Sequence, residues 1–159
     1  MSMRTTIDRP RVPGFVQRTT GLVQRLLRLG LPMGPNALLT VVGRKSGVPR
    51  AVPVAILETD GRQFVFAAFG ETGWVHNLRA AGTATVRRGR REHVVRAVEL
   101  DPGTAAPVLE AGLRPVMRFP FIGPMIAGWY GIDRHSTRAD YDRAAHLHPA
   151  FELTAVDAA

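Results

Sequence analysis

Short apolar runs separated by tight turns fill the middle of the sequence, and they constrain the fold more than any other feature. The strongest turn signal is Asp60-Gly61, a dipeptide that favours a two-residue connection between paired strands. We predict strands at 37–42, 50–57, 63–69, 83–88, 91–100 and 150–156. Because consecutive hairpins place neighbouring strands antiparallel, the pattern favours an antiparallel sheet, closed as a small barrel, over a doubly wound parallel sheet. Pro53 lies inside the second run and predicts an edge or an irregular stretch there.

The runs with helical spacing are short and surround these strands. In 14–30, apolar residues recur every three to four positions with arginines on the other side, which predicts an amphipathic helix. Such a helix packs on the core or lies on a membrane surface. Further helices are predicted at 74–82, 103–114 and 137–147. The segment 115–131 is apolar but rich in proline and glycine, so we expect a cap or loop over an apolar cavity, or core packing, rather than a regular helix.

Length and composition limit the classes of function. The chain has 159 residues, enough for one domain, which we place at 14–159 after a flexible N-terminal arm at 1–13. There is no cysteine, which excludes thiolate metal sites and a cysteine nucleophile. The net charge is +8, but the arginines are scattered, so we expect no nucleic-acid partner. We expect neither a signal peptide nor a membrane-spanning run.

The stretch GRKSG at 43–47 contains Lys45, the single lysine in a chain with 20 arginines. It is not a Walker A loop, because Arg44 rather than a glycine precedes the lysine. Glycines let the backbone approach a ligand and present N–H groups to an anion. Arginine grips a phosphate or carboxylate through two parallel hydrogen bonds, whereas lysine moves among several oxygens. The turn therefore predicts either a site for a flexible polyanion or a solvated basic turn.

Two motifs together resemble those of the deazaflavin-dependent nitroreductase family of split β-barrel proteins. GRKSG precedes a strand that begins PRAVP, and WVHNLRA follows at 74–80. The resemblance covers about 36–156. It implies a mainly β, antiparallel split β-barrel of the FMN-binding-like type, with short flanking helices. It also implies coenzyme F420, a deazaflavin with a phosphodiester and an oligoglutamate tail, which passes a hydride to a quinone or an activated nitro compound.

The resemblance also implies which residues contact the cofactor. Arg44, Lys45 and Ser46 are expected to hold the phosphate or the glutamate tail, and the strand around Pro53 to line the deazaflavin. The whole implied set is Arg44, Lys45, Ser46, Gly47, Arg50, Val52, Pro53, Val54, Ala55, Ala67, Ala68, Phe69, Gly70, Trp74, His76 and Asn77. The loop at 69–73 is shorter than in many members, lacks the lysine that they carry in this loop and contains Glu71, which disfavours an anionic tail.

Catalytic residues are few in this interpretation, because the cofactor supplies the hydride and the protein must bind, orient and exclude water. Tyr141 is the implied tyrosine on the substrate side, with Tyr130 as its competitor, and the product's proton comes from solvent or a tyrosine. Ser136 and its neighbours His135 and Asp133 have the composition of a hydrolase triad but not a nucleophile-elbow sequence. The histidines lack a supporting carboxylate spacing, so we expect no metal site.

These observations predict an F420-dependent reductase with a small apolar acceptor. Three alternatives stay open: a split barrel that binds FMN, haem or a related tetrapyrrole, a non-catalytic carrier of an apolar ligand beneath 115–131, and a nucleic-acid binder, which the charge alone favours. The resemblance implies a homodimer. We expect the protein in the cytoplasm, with peripheral membrane contact through 14–30.

Overall fold

The computed structural model describes residues 21–26, 28–29 and 36–157. Its strands are β1 Asn36–Val42, β2 Pro49–Thr59, β3 Arg62–Phe66, β4 Thr83–Arg88, β5 Arg91–Glu99 and β6 Ala150–Ala155. They form a closed barrel in the order β1-β2-β3-β6-β5-β4, with every neighbouring pair antiparallel. The predicted antiparallel barrel is confirmed, and each predicted strand lies within a few residues of an observed one.

Short helices surround the barrel. They are α1 Gly73–Ala81, α2 Pro102–Val116, α3 Ile122–Trp129 and α4 Arg138–Leu147. Of the helix predicted at 14–30, residues 21–26 and 28 are helical. The remainder of that helix and the arm predicted at 1–13 lie outside the described residues. No helix in the described part of the chain combines the length and the apolar character needed to cross a bilayer.

Local turns make the hairpins, and long-range pairings close the barrel. Asp60 and Gly61 both have positive φ, 51° and 73°, as a tight hairpin turn requires, and they join Thr59 to its partner Arg62. Closure depends on β1 pairing with β4 and on β3 pairing with β6. These partners are far apart in the sequence, so hydrophobic burial must offset the entropy of bringing them together.

Two separate cores account for the alternation of apolar residues. Inside the barrel lies a cluster to which every strand contributes, including Leu39, Val65 and Phe151. Outside it, the second cluster joins Phe64 and Phe66 of β3 to the helices α2, α3 and α4. Since successive strand residues point to opposite faces, β3 is apolar on both faces because both are covered.

β2 changes partners along its length. Residues 49–55 pair with β1, whereas pairing with β3 begins only at Ile56. Pro53 faces Leu38 of β1 and has no partner on its other side among the described strands. Proline cannot donate a ladder hydrogen bond, so this is the kind of position that it tolerates. The expected edge at Pro53 is present, and it leaves 49–55 as a free strand edge where the barrel is split.

The prediction of an irregular cap at 115–131 was wrong in part. α2 continues to Val116, and Ile122–Trp129 form a regular helix although two glycines and a proline lie within it. Tertiary packing overrides the weak helix propensity, because Gly123 and Ala127 are buried on one face of α3. A Cβ on Gly123 would lie 2.4 Å from the carbonyl oxygen of Val116, so this close approach needs glycine.

Candidate active site

A cleft of about 420 Å³ lies between the β1–β2 bend and the beginning of α1. Its lining is Val41, Gly43, Arg44, Lys45, Ser46, Arg50, Ala51, Val52, Gly73, Trp74 and Asn77. The volume is within the range of small-molecule sites. The cleft therefore joins the basic GRKSG turn, the free edge of β2 and the helix that carries the WVHN motif.

The shape of the GRKSG bend depends on its two glycines. The Gly43 N–H donates to the Val48 carbonyl at 2.9 Å, and the Gly47 N–H donates to the Gly43 carbonyl at 2.9 Å. Gly47 has φ +67°, and a Cβ on Gly43 would lie 2.6 Å from Ser46 Oγ. Ser46 Oγ accepts from the Val48 N–H at 3.2 Å, which leaves its hydroxyl hydrogen free to donate to a ligand.

Asn77 fixes the bend to α1. Its Oδ1 accepts from the Arg44 backbone N–H at 3.1 Å and from Arg44 Nη1 at 2.9 Å. The Asn77 side chain is only 7% exposed, so this amide is a buried polar group with its acceptor satisfied. Two residues that were predicted separately, in different motifs, thus meet, and the guanidinium of Arg44 is held at the cleft instead of moving freely in solvent.

The described lining of the cleft is cationic. Arg44, Lys45 and Arg50 contribute positive charge, and none of them forms an ion pair with another described residue. The lining includes no carboxylate. The beginning of α1, where Gly73 lines the cleft, adds the positive end of a helix dipole. These groups fit a polyanionic ligand such as the tail of F420.

Part of the lining is apolar, and we call Val41, Val52 and Trp74 the apolar wall. Val41 is fully buried, and Val52 and Trp74 pack against the barrel core. The Trp74 indole also contacts Phe151, with ring centroids 6.2 Å apart. An aromatic face and two branched side chains next to a cationic rim suit a ligand with a planar ring at one end and anionic groups at the other.

The N-terminal segment reaches the rim of this cleft. Gln24 Nε2 donates to the Ala51 carbonyl at 2.7 Å, although the two residues are 27 positions apart. The Arg87 guanidinium donates to the Arg28 carbonyl at 3.4 Å. The described part of the predicted helix 14–30 therefore lies against β2 and β4, next to a cleft-lining residue.

The structure brings together seven of the sixteen residues predicted to contact a cofactor, namely Arg44, Lys45, Ser46, Arg50, Val52, Trp74 and Asn77. It does not place the other nine in the lining: Gly47, Pro53, Val54, Ala55, Ala67, Ala68, Phe69, Gly70 and His76. Val54, for example, points into the barrel core. Sequence reasoning missed four lining residues, Val41, Gly43, Ala51 and Gly73. Gly43, Ala51 and Gly73 are each next to a predicted residue, and that adjacency was the available signal, whereas Val41 lies two positions before the GRKSG motif.

The loop after β3 has structural partners of its own. The Ala67 carbonyl is 2.9 Å from Nδ1 of the buried His148, and because a carbonyl oxygen only accepts, Nδ1 carries the hydrogen and donates. Burial lowers the pKa of that imidazole. The Phe69 ring contacts Trp129 at 5.2 Å between centroids. Glu71, expected to repel an anionic tail, forms an ion pair with Arg79 at 2.9 Å. That pairing offsets the charge of the carboxylate.

Neither tyrosine lines the cleft. Tyr141, the predicted catalytic residue, is 1% exposed and packs in the helical core with α2 and α3. Burial raises the pKa of its hydroxyl. Tyr130 packs on the His148 ring at 4.7 Å between centroids, and burial raises its pKa also. The geometry favours a packing role for both phenols over contact with a substrate in this cleft.

For the reductase that the resemblance implies, we therefore expect Tyr141→Phe to change the turnover by less than about twofold, because a hydroxyl in the helical core cannot reach the cleft. The measurement is the rate of cofactor oxidation at saturating acceptor, with Tyr130→Phe as the matched variant. A loss of about a hundredfold in the Tyr141 variant alone, with unfolding unchanged, would restore the predicted catalytic role.

The rival sequence patterns have local explanations. Asp133 accepts hydrogen bonds from the backbone N–H of His135 and from the Ser136 hydroxyl, so this Ser-His-Asp group forms a turn. His146 Nδ1 bonds to the Asp142 carbonyl in its own helix. Within the described residues, no three His, Asp or Glu side chains are arranged to hold a metal ion.

Several solved structures are similar in fold. An F420-H2 dependent reductase (FDR-A) has a TM-score of 0.51 and 23% identity, and the match covers 76% of this chain and 94% of that one. A structure described as a domain-swapped dimer has a TM-score of 0.53 and 22% identity over 88% and 97% of the two chains. The haem storage protein HutZ from Vibrio cholerae has a TM-score of 0.52 and 10% identity over 87% and 90%.

No curated protein matches the chain. The model of one protein family, described as F420H(2)-dependent quinone reductase, matches residues 12–114, which is well over half of the 159 residues. This match includes the bend, the free edge of β2 and α1, so it spans the whole described lining of the cleft. It agrees with the deazaflavin family that the GRKSG and WVHNLRA motifs indicated. The chain thus belongs to the F420H(2)-dependent quinone reductase family and is an oxidoreductase that uses coenzyme F420.

Proposed function

We propose that the cleft beside the GRKSG bend binds reduced F420 and that the enzyme transfers a hydride from it to a quinone. One observation carries the proposal: the described lining has three cations, no carboxylate and an apolar wall. A solvated basic turn would not need the bend to be fixed to α1, yet Asn77 holds Arg44 through two hydrogen bonds. The family's name supports a quinone as the acceptor.

The cationic rim has the role of holding the anionic tail. Arg44 is oriented before the ligand arrives, so less side-chain entropy is lost on binding. Lys45 is a compact charge on a flexible stem and can follow several oxygens of a glutamate chain. The Ser46 hydroxyl adds a donor that the bend does not use. Gly47 has the positive φ that the shape of the bend requires.

The free edge of β2 and the apolar wall have the role of holding and shielding the ring. Residues 50–55 lack a second strand partner. Apart from the Ala51 carbonyl, which accepts from Gln24, and Pro53, which has no N–H, we propose that backbone groups along this edge bond to a planar polar heterocycle. Val41, Val52 and Trp74 exclude water from one side. When bound, coenzyme F420 supplies the hydride. The remaining predicted contacts, from Ala67 to Gly70 and at His76, stay proposals.

Reduction of a quinone to a hydroquinone takes one hydride and one proton. The described lining contains no histidine, tyrosine or carboxylic acid that would serve as a dedicated acid. We propose that the proton comes from solvent at the open side of the cleft. The chain's contribution is then binding, orientation and partial exclusion of water.

The test is to mix the purified chain with F420 and follow its fluorescence, then to add a quinone such as menadione to the reduced form. We expect saturable binding and at least about tenfold faster oxidation by the quinone than by a nitroimidazole, because the quinone needs no further activation. Faster reaction with the nitro compound would make a nitroreductase the better assignment. A yellow protein that retains FMN, a haem Soret band, or binding of an apolar dye without oxidation of the cofactor would contradict the proposal.

Three further features belong to the proposal. We expect a homodimer, which agrees with the similar structure described as a domain-swapped dimer, and sedimentation velocity measures it. We expect residues 14–159 to fold as one domain in the cytoplasm. Contact of the helix 14–30 with a membrane stays a prediction, with Leu22 and Leu29 exposed in its described part.

A further inference from the structure

The turn between α2 and α3 and the first part of α3 expose a group of large apolar side chains. Phe119 is 63% exposed, Phe121 89%, Ile122 58% and Met125 44%. We call these four residues the apolar tip. They lie within seven consecutive positions, with Phe119 and Phe121 in the turn and Ile122 and Met125 three positions apart on the first part of α3, so we treat them as one patch. Contiguous apolar surface of this kind on a soluble domain indicates an interaction site.

The side chains of the apolar tip stay exposed although α3 packs on the other helices. α3 already has a buried face, formed by Gly123 and Ala127 against the other helices, and Ile122 and Met125 lie on its other side. Phe121 also has φ +67° and ψ −55°, a positive-φ conformation outside the left-handed helical region that is unfavourable for a bulky residue. Strain of this kind costs on the order of 1–3 kcal/mol and is retained where function requires it. Here it accompanies an aromatic ring that gains no burial in the fold.

Cations lie beside the apolar tip. A shallow depression of about 510 Å³ is lined by Arg114, Pro115, Met117, Arg118 and Arg134. Arg114 is paired with Glu110, but Arg118 and Arg134 form no ion pair within the described part of the chain. The sequence from Met117 to Ile132 contains no acidic residue. The tip is thus an apolar projection with uncompensated positive charge at its base.

We propose that the apolar tip and these arginines dock the enzyme on the surface of a bilayer that contains anionic lipid. Aromatic and aliphatic side chains enter the headgroup boundary, and arginines at their base contact the lipid phosphates. A second copy of the chain is a poorer occupant, because it would bring the same positive charge to the same place and the net charge is +8. This inference does not depend on which acceptor the enzyme reduces.

The position of the tip gives docking a consequence for the active site. α3 has eight residues and is about 12 Å long. Trp129 at its far end contacts Phe69, and the loop that follows Phe69 leads to Gly73 and Trp74 of the cleft. Docking through the tip therefore holds the loop next to the cleft within about two helical turns of the lipid, where apolar acceptors dissolve.

The experiment is flotation of the full chain with vesicles made of equal amounts of phosphatidylcholine and phosphatidylglycerol. We expect the double variant Phe119→Ser, Phe121→Asn to lose at least about tenfold in partition, because two exposed aromatic side chains are removed. The double variant Arg118→Glu, Arg134→Glu should lose at least about tenfold, since each basic residue contributes roughly fivefold, with little change on pure phosphatidylcholine.

Matched variants elsewhere give the controls. Arg90→Glu with Arg91→Glu changes the same charge at the β4–β5 turn, and Leu22→Ser with Leu29→Ser removes exposed apolar side chains from the N-terminal segment. Binding that is lost only in the leucine variant, or equally in both charge variants, overturns the proposal. A tip variant that floats normally but shifts from dimer to monomer in sedimentation overturns it in favour of a self-association surface. F420 binding in solution should be unchanged in the tip variant.

Discussion

Replacing Arg44 with alanine is expected to weaken F420 binding by about tenfold to a hundredfold, because a charge-assisted contact to a phosphate or carboxylate is removed. Arg44 has no ion pair to another described residue, so its charge is available to the ligand. The measurement is titration of oxidised F420 by fluorescence, at low and at moderate salt. The variant should also lose part of the salt dependence, since one cation no longer attracts the tail.

The fold should tolerate this change. Asn77 Oδ1 accepts from the backbone N–H of residue 44 as well as from the guanidinium, and alanine keeps the backbone donor. The buried amide oxygen is therefore still satisfied, and we expect the free energy of unfolding to change by less than about 1 kcal/mol. This separates a binding effect from a folding effect.

Arg90→Ala is the matched control, because Arg90 is an exposed arginine in the β4–β5 turn and does not line the cleft. Its affinity for F420 should stay within about twofold of the parent, as expected for screened charges at a distance. Equal losses in the Arg44 and Arg90 variants would mean that net charge attracts the cofactor and that the cleft is not its binding site.

Local sequence signals were enough for the strands and for part of the site. Successive strand residues point to opposite faces, and a covered face must be apolar, as both faces of β3 are. The Asp60-Gly61 turn fixes the register of its hairpin. The GRKSG glycines have the tight approach and the positive φ that the motif suggested. Properties that depend on a few neighbouring residues can be predicted from the sequence.

Contacts between residues far apart in the sequence could not be predicted from it. Nothing local to Asn77 shows that its oxygen binds Arg44, 33 positions away, although both were singled out separately. The same holds for Tyr141: its place in the sequence suggested a site residue, but its contacts are in the helical core. The burial of a side chain is a property of the packed fold, so similarity of position alone did not identify the lining of the cleft.

Gly123→Ala is expected to lower the free energy of unfolding by about 2–3 kcal/mol, although alanine is the better helix former. The added Cβ would lie 2.4 Å from the Val116 carbonyl oxygen and 2.9 Å from Met117 Cα. Both are backbone atoms at the end of α2, so no side-chain rotation relieves the clash. Either α3 moves away from α2 or the end of α2 is distorted, and the packing of Ala127 is lost with it.

Gly128→Ala provides the control within the same helix. A Cβ there meets nothing within 4 Å, so the change should stabilise the protein by up to about 1 kcal/mol through helix propensity. The two variants make the same chemical change five positions apart in the sequence, and urea unfolding should separate them by about 3 kcal/mol. Equal midpoints would show that α3 does not pack closely on α2. A large loss for Gly123→Ala would show that the fold holds α3, and hence the residues of the apolar tip, in a fixed position.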